Sequence, residues 1–334
     1  MNIKNKIFMR LVAGGLFLIM SACANDGNNS LTDDPVAGVD NPPNDELATT
    51  ASLGELTFGL MASIDAFPIV IADYNGYFAD EGLSVNLEPF SSAADRDAAL
   101  LAGLLDGATI DLVAVGLSRA ADVMPLKATG STSGRFTLVA NEGFNSIAEL
   151  AGESVVISYN TAIHFVLDQM VELAGFHHDH ITREVIPSIP ARLESLRAGQ
   201  VAAALLPEPW ATIAMADGLY GITNTIEIDF IPFVIAFTDE IIDTMPEEIR
   251  AFYRAYNRAI DFLNATPLAD YFQLMVDVIG FPADVANHLV LPEFTHNQMP
   301  DEYVRQAAID WLVNRELIPS EITADDLVST IAAP

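Results

Sequence analysis

Between residues 56 and 115, apolar runs of strand period alternate with runs of helix period, and no other feature of the 334-residue chain restricts its fold as much. Residues 56–60 form a short apolar run. A helical stretch follows over 66–74, Gly76 stops it, 78–81 resume briefly, and Gly82 is a second stop. Leu83, Val85 and Leu87 then alternate with Ser84, Asn86 and Glu88, the period of two of a half-buried strand. Residues 91–95 offer cap types ahead of a helix carrying Ala98, Leu101, Leu104 and Leu105 and closed by Gly107, and 110–115 reads as a buried strand. Parallel neighbours need crossovers, so this order predicts an α/β fold with a parallel sheet and helices on both faces.

The same logic restarts after Gly130-Ser131-Thr132-Ser133-Gly134, with strands at 136–140, 154–158, 185–186 and 201–206, and helices at 147–150, 162–174 and 191–198. From Pro246 onward the pattern is helical, over 247–263, 271–279, 301–314 and 323–331. The expectation is two lobes with the chain crossing twice between them. Residues 55–130 and 235–334 form lobe 1, 131–234 form lobe 2, and the C-terminal helices pack on the first lobe.

The N-terminus reads as an address. Lys4, Lys6 and Arg10 precede an apolar run over 11–22 that is too short to span a bilayer, the pattern of an export signal. Leu18-Ile19-Met20-Ser21-Ala22-Cys23 resembles the lipobox of bacterial lipoproteins, and the chain's one cysteine stands where that box needs it. The resemblance implies a signal peptide over 1–22, an acyl (palmitate-type) anchor on Cys23 and an extracytoplasmic, membrane-attached protein. Residues 23–54, rich in Asn, Asp, Pro, Gly, Ser and Thr without apolar periodicity, read as a flexible tether. Lys plus Arg is 15 against 46 Asp plus Glu, and loss of the three leader cations takes the net charge from −31 to −34. Such a chain repels phosphate backbones, which excludes nucleic acid as a partner, and it suits a saline habitat in which salt screens the repulsion.

Two α/β lobes joined by small residues enclose a cleft, and ligands of such sheets sit outside the carboxyl ends of the strands, where helix N-termini offer unpaired amides. The loops there are 61–65, 91–96, 116–118, 158–161 and 207–210. They supply Ser63, Asp65, Ser92, Arg96, Gly116, Tyr159, Asn160, Thr161, Glu208 and Trp210 as candidate ligand-binding residues. Each polar one has a plainer reading as a helix cap. Trp210, two residues from Glu208, reads as a stacking wall with an acceptor beside it, or as a tryptophan packing the lobes together. Arg96 is the one strongly placed cation of these loops, and Asp95 and Asp97 flank it as partners.

Catalytic and metal motifs are thin. Gly130 to Gly134 has the spacing of a nucleophile elbow, but its centre is Thr132 and no helix pattern follows, so a hinge of small residues is the better reading. His177-His178-Asp179-His180 lies in a helix-to-strand connection without a second ligand cluster and reads as a solvated loop; His164, His288 and His296 stand alone. A Gly-x-x-x-x-Gly-Lys-Ser/Thr loop is absent. The expectation is therefore no catalytic residue, no metal and no cofactor.

The run Ala66-Phe67-Pro68 through Gly76-Tyr77-Phe78-Ala79-Asp80-Glu81-Gly82-Leu83, with Asp95-Arg96-Asp97-Ala98-Ala99-Leu100 and Leu105-Asp106-Gly107, resembles the ABC-importer substrate-binding proteins of the nitrate, sulfonate, taurine and thiamine-precursor group. Ile189-Pro190-Ala191-Arg192-Leu193-Glu194, Gly199-Gln200-Val201 and Leu206-Pro207-Glu208-Pro209-Trp210 are similar to that group's second lobe, so the likeness spans most of 55–320. It implies a two-lobed type II periplasmic-binding-protein (Venus-flytrap) fold and a monomer that captures a small organic molecule or oxyanion. The solute would be delivered to a membrane permease driven by a separate ATPase. The Trp-Pro-Asn type opening of the thiamine-pyrimidine binders is replaced by Met61-Ala62-Ser63-Ile64-Asp65, which demotes that ligand. An exported lipoprotein hydrolase or a non-transport surface binding protein is the alternative.

Overall fold

The computed structural model describes residues 52–333. Cys23, the leader and most of the tether lie outside the described residues. The chain runs β1 (Glu55–Met61), α1 (Phe67–Tyr74), α2 (Tyr77–Asp80), β2 (Ser84–Phe90), α3 (Ala93–Leu101), β3 (Gly107–Asp111), α4 (Leu112–Ala121) and β4 (Leu126–Ser131). It continues through β5 (Phe136–Ala140), β6 (Ser154–Ile157), α5 (Ala162–Leu173), β7 (Thr182–Val185), α6 (Ile189–Arg197), β8 (Ala203–Pro207), α7 (Trp210–Ala216) and β9 (Tyr220–Asn224). Then follow β10 (Phe233–Thr238), α8 (Asp239–Thr244), α9 (Pro246–Ala265), α10 (Phe272–Ile279) and α11 (Glu302–Asn314).

The strands form two five-stranded sheets, ordered β2-β1-β3-β10-β4 and β7-β6-β8-β5-β9. This is the two-lobed α/β architecture expected from the alternation. Each sheet is mixed rather than wholly parallel. β1 runs parallel to β2 and β3, but β10, returning from the second lobe, lies antiparallel between β3 and β4. In the second sheet β6 is parallel to β7 and β8, while β5 is antiparallel to β8 and β9. The sequence reading had no strand at β4, β9 or β10, short segments beside the crossings.

The apolar run 110–115 is not one strand. β3 ends at Asp111, whose carboxylate accepts the Ala114 amide at 2.9 Å and starts α4 at Leu112. Because Leu112, Val113 and Val115 are fully buried, period alone could not separate a buried strand from a buried helix. Residues 323–331 hold only a short 3-10 turn, Ala324–Leu327, opened by a Thr323–Asp326 capping box.

Two apolar clusters fill the body, and each draws on both sheets: one joins Phe58, Phe67 and Phe252 to Leu206 and Trp210, the other joins Leu112 and Leu312 to Phe165 and Leu205. The long amphipathic α9 lies on the first lobe, where Phe252 meets Phe58 at 5.0 Å and Phe78 at 5.2 Å between ring centroids. Burying a ring of that size contributes about 2–3 kcal/mol. α11 packs on α4 and also reaches the second lobe, since its Trp311 donates to Asp168 of α5 at 2.8 Å. Among the described residues no helix is long and apolar enough to cross a membrane.

Candidate functional site

The strand ends of the two sheets face each other across a cleft, and three backbone-directed hydrogen bonds tie its rims. The Ile189 amide at the start of α6 donates to the Ser91 carbonyl at 3.1 Å, the Ile64 amide donates to the Glu208 carbonyl at 3.2 Å, and the Trp210 indole donates to the Ala62 carbonyl at 3.0 Å. The cavity between the walls is about 40 Å³ and is partly open to solvent.

The floor is apolar. Phe136 and Phe233 open β5 and β10, so each of the two crossings delivers a ring to the same place. The rings stack at 4.1 Å with 14° between planes. The stretch after β4 follows this floor: the Thr132 amide donates to the Phe233 carbonyl at 3.1 Å, and a Cβ on Gly134 would lie 3.1 Å from the Phe233 ring. Among the described residues the buried Thr132 hydroxyl has no hydrogen-bond partner.

The first-lobe wall carries Ser63, Asp65, Arg96 and Asp111. The Ser63 hydroxyl donates to the Asp65 carboxylate in the turn after β1. Burial raises the Asp65 pKa, against the lowering influence of that hydroxyl, of its own backbone and of the Arg96 charge. Arg96, 2 % exposed, is already engaged. Its Nε and Nη2 donate to Asp97 at 2.9 and 2.7 Å, its Nη1 donates to the Thr109 carbonyl at 3.2 Å, and Asp111 lies 3.8 Å away. Burial likewise raises the Asp111 pKa, opposed first by Arg96, then by the Ala114 amide and, from the other lobe, by the Ala162 amide, while Asp97 adds to the rise. Asp111 caps the N-terminus of α4 through the Ala114 amide.

The second-lobe wall carries Thr161 and Arg192. The Thr161 hydroxyl folds back onto the Ser158 carbonyl at 2.8 Å and shapes the entry to α5. Arg192 is 1 % exposed; its Nε donates to the Ile186 carbonyl and its Nη2 to the Pro187 carbonyl, both at 2.8 Å, while Nη1 has no partner. Burial alone pulls its pKa down to about 9, which leaves it charged at neutral pH.

Of the residues named from sequence, Ser63, Asp65, Arg96 and Thr161 line this cleft. The others stand elsewhere. Ser92 is buried one residue before the lining, at the N-cap of α3. Gly116 is not in a loop but inside α4, where a Cβ would come within 2.5 Å of Leu312 on α11. Tyr159 is 57 % exposed and covers the His164 ring at 4.6 Å, and Asn160 takes the left-handed turn (φ 54°) that an asparagine tolerates better than most residues. Glu208 is fully buried and spent on Arg135 Nε at 3.1 Å and on the Thr212 amide and hydroxyl at 3.0 and 2.7 Å. Trp210 takes the lobe-packing alternative, with its N–H on Ala62 rather than turned to the cleft. The His177–His180 segment is a 3-10 turn in which His177 bonds Asp179 at 2.8 Å.

Asp111, Arg192, Phe136 and Phe233 were missed. The signal for Arg192 was a cation in the opening turn of a helix, where the macrodipole disfavours one unless something else recruits it.

The fold is that of known binding proteins. The alkanesulfonate-binding protein from Xanthomonas axonopodis pv. citri, bound to MOPS, superposes with a TM-score of 0.70 at 18 % identity over 82 % of this chain and 98 % of its own. The periplasmic aliphatic sulphonate binding protein from Escherichia coli gives 0.69 at 16 % over 82 % and 92 %, and the periplasmic nitrate-binding protein from Synechocystis PCC 6803 gives 0.64 at 12 % over 84 % and 92 %. At these identities the likeness speaks for the fold alone. No curated protein matches the sequence. Residues 50–275, more than half of the chain, match the NMT1-like family, and the chain belongs to that family.

Proposed function

We propose that this protein is the extracytoplasmic solute-binding component of an ABC importer, which takes a small organic molecule or oxyanion between its lobes and hands it unaltered to a membrane permease powered by a separate ATPase. The observation that carries this reading is Arg192. A guanidinium fully withdrawn from water, oriented by two carbonyls, left with one nitrogen unpaired and belonging to a residue that lines a cleft between two lobes, is a ligand-binding group in waiting. The binding roles in the names of the similar sulfonate and nitrate proteins support the same reading. An acyl anchor on Cys23, a tether over 23–54 and a monomeric body belong to it, because a tethered monomer can both sample solute and reach a permease in the same membrane.

A thermal-shift screen of organic acids, amines, amino acids and sulfonates tests the proposal, followed by mass analysis of each stabilising compound after incubation. A binder gains stability as RT ln(1 + [L]/Kd) and returns its compound unchanged. A compound that is turned over would end the transport reading in favour of a hydrolase.

A further inference from the structure

The cleft holds charge of both signs, and the two signs are unequally neutralised. On the first lobe Arg96 is consumed by Asp97, by the Thr109 carbonyl and by the nearby Asp111. Asp65 has the Ser63 hydroxyl but no ion pair among the described residues. On the second lobe Arg192 also has no ion pair, and its Nη1 is buried without a partner. The N-terminus of α5, where Thr161 and Ala162 line the cleft, has the carboxylate of Asp111 as a neighbour on the opposite wall.

Each simple ligand class leaves something in this cleft uncompensated. A plain anion satisfies Arg192 but enters beside two buried carboxylates. A plain amine satisfies Asp65 and strands Arg192, and a neutral solute strands both. Stranded buried charge is among the most unfavourable arrangements a closed site can hold.

We propose that the ligand of this cleft is a small zwitterion, whose acid group takes the free Nη1 of Arg192 and whose ammonium group takes Asp65, with Asp111 beside it. This rests on the solute-capture reading and goes further by naming the chemical class. The Phe136–Phe233 floor, flanked by Ile110, Ile163 and Ile189, offers apolar surface to the carbon spacer between the two charges. The raised pKa of Asp65 fits the same picture, since that carboxyl has no ion pair among the described residues, whereas Asp111 already has Arg96 at 3.8 Å.

Titration calorimetry on the full chain tests this with amino-carboxylates of increasing spacer length, the matching amino-sulfonates, and half-ligands: propionate, ethanesulfonate, nitrate, propylamine and butyramide. Native mass spectrometry of the purified protein runs alongside, to weigh any solute that co-purifies. The expected result is one zwitterion binding about a hundredfold tighter than every half-ligand, with Arg192→Gln and Asp65→Asn each weakening it by at least about tenfold. The carboxylate and sulfonate arms decide which acid group is preferred. Arg192→Lys and Ser63→Ala, checked for an unchanged unfolding midpoint, guard against a variant that merely misfolds. A singly charged or neutral compound that binds best, or co-purifies, overturns the zwitterion and leaves solute capture standing. A protein that binds no compound and carries no co-purified solute overturns both.

Discussion

The indole N–H of Trp210 donates to the carbonyl oxygen of Ala62 at 3.0 Å, so a side chain at the start of α7 in the second lobe closes on the loop after the first strand of the first. Trp210→Phe keeps most of the buried ring and removes the donor, leaving a carbonyl unpaired where water has little access. The expected loss is about 1–2 kcal/mol in urea unfolding, with a larger radius of gyration in X-ray scattering as the rims loosen. An unchanged midpoint and radius would show that the bond does not hold the lobes together.

Asp168 on α5 is the second tie. Its carboxylate accepts from Trp311 at 2.8 Å and pairs with Arg183 and Arg315, which brings the C-terminal helix onto the second lobe. Asp168→Asn removes the shared counter-charge of two partly buried guanidiniums, and the expected destabilisation is about 3 kcal/mol or more, read from the urea midpoint. A loss under about 1 kcal/mol would mean that solvent already screens the pair.

The fold was legible from period and punctuation, because strand and helix alternate and Gly76 and Gly82 mark joints; Gly107, read as the stop of a helix, instead opens β3, and α3 ends earlier, at Leu101, with Gly103 in the left-handed turn. The site was legible only in part. Ser63, Asp65, Arg96 and Thr161 lie in the turns and helix starts that follow the strands, which strand polarity aims at the cleft, so topology found them. Arg192 and Phe233 reach the cleft through a helix turn and a strand start, at positions whose side-chain direction depends on how two lobes approach each other. Glu208 and Trp210 fit the chemistry of a binding wall, yet Arg135, Thr212 and Ala62 claim their polar atoms first, a competition between distant segments that no local spacing records.

His164 couples stability to pH. Burial lowers its pKa from 6.5 to about 4, Asp168 works against that shift, and Arg315 and Arg183 reinforce it. In the unfolded chain the ring takes its proton near 6.5, so its neutral burial contributes fully above that pH and the contribution is lost as pH falls from 6.5 to about 4. Asp65 and Asp111, with raised pKa values, bias stability in the opposite sense, so the contrast must be read between variants. His164→Phe retains a ring against Tyr159 and Trp311. It is expected to lose about 1–2 kcal/mol less than the native chain between pH 7.5 and 4.5, with screening taken into account. Parallel curves for the two proteins would overturn the assignment.

Gly130 in β4 marks where the first sheet tolerates no side chain. A Cβ there would lie 2.0 Å from Asn297 Oδ1 and 2.8 Å from the Tyr253 hydroxyl. Neither neighbour is free to retreat: Asn297 donates to the Ala332 carbonyl at 2.7 Å, and the Tyr253 and Thr129 hydroxyls share a buried hydrogen bond at 2.7 Å. Gly130→Ala therefore displaces two buried polar groups from their partners and is expected to destabilise by about 2–3 kcal/mol. Gly152→Ala is the control, because that residue has open space around it and only its left-handed φ of +76° opposes a side chain, an effect of about 1 kcal/mol. If Gly152→Ala proved the more damaging in urea unfolding, crowding at β4 would not be what keeps glycine at position 130.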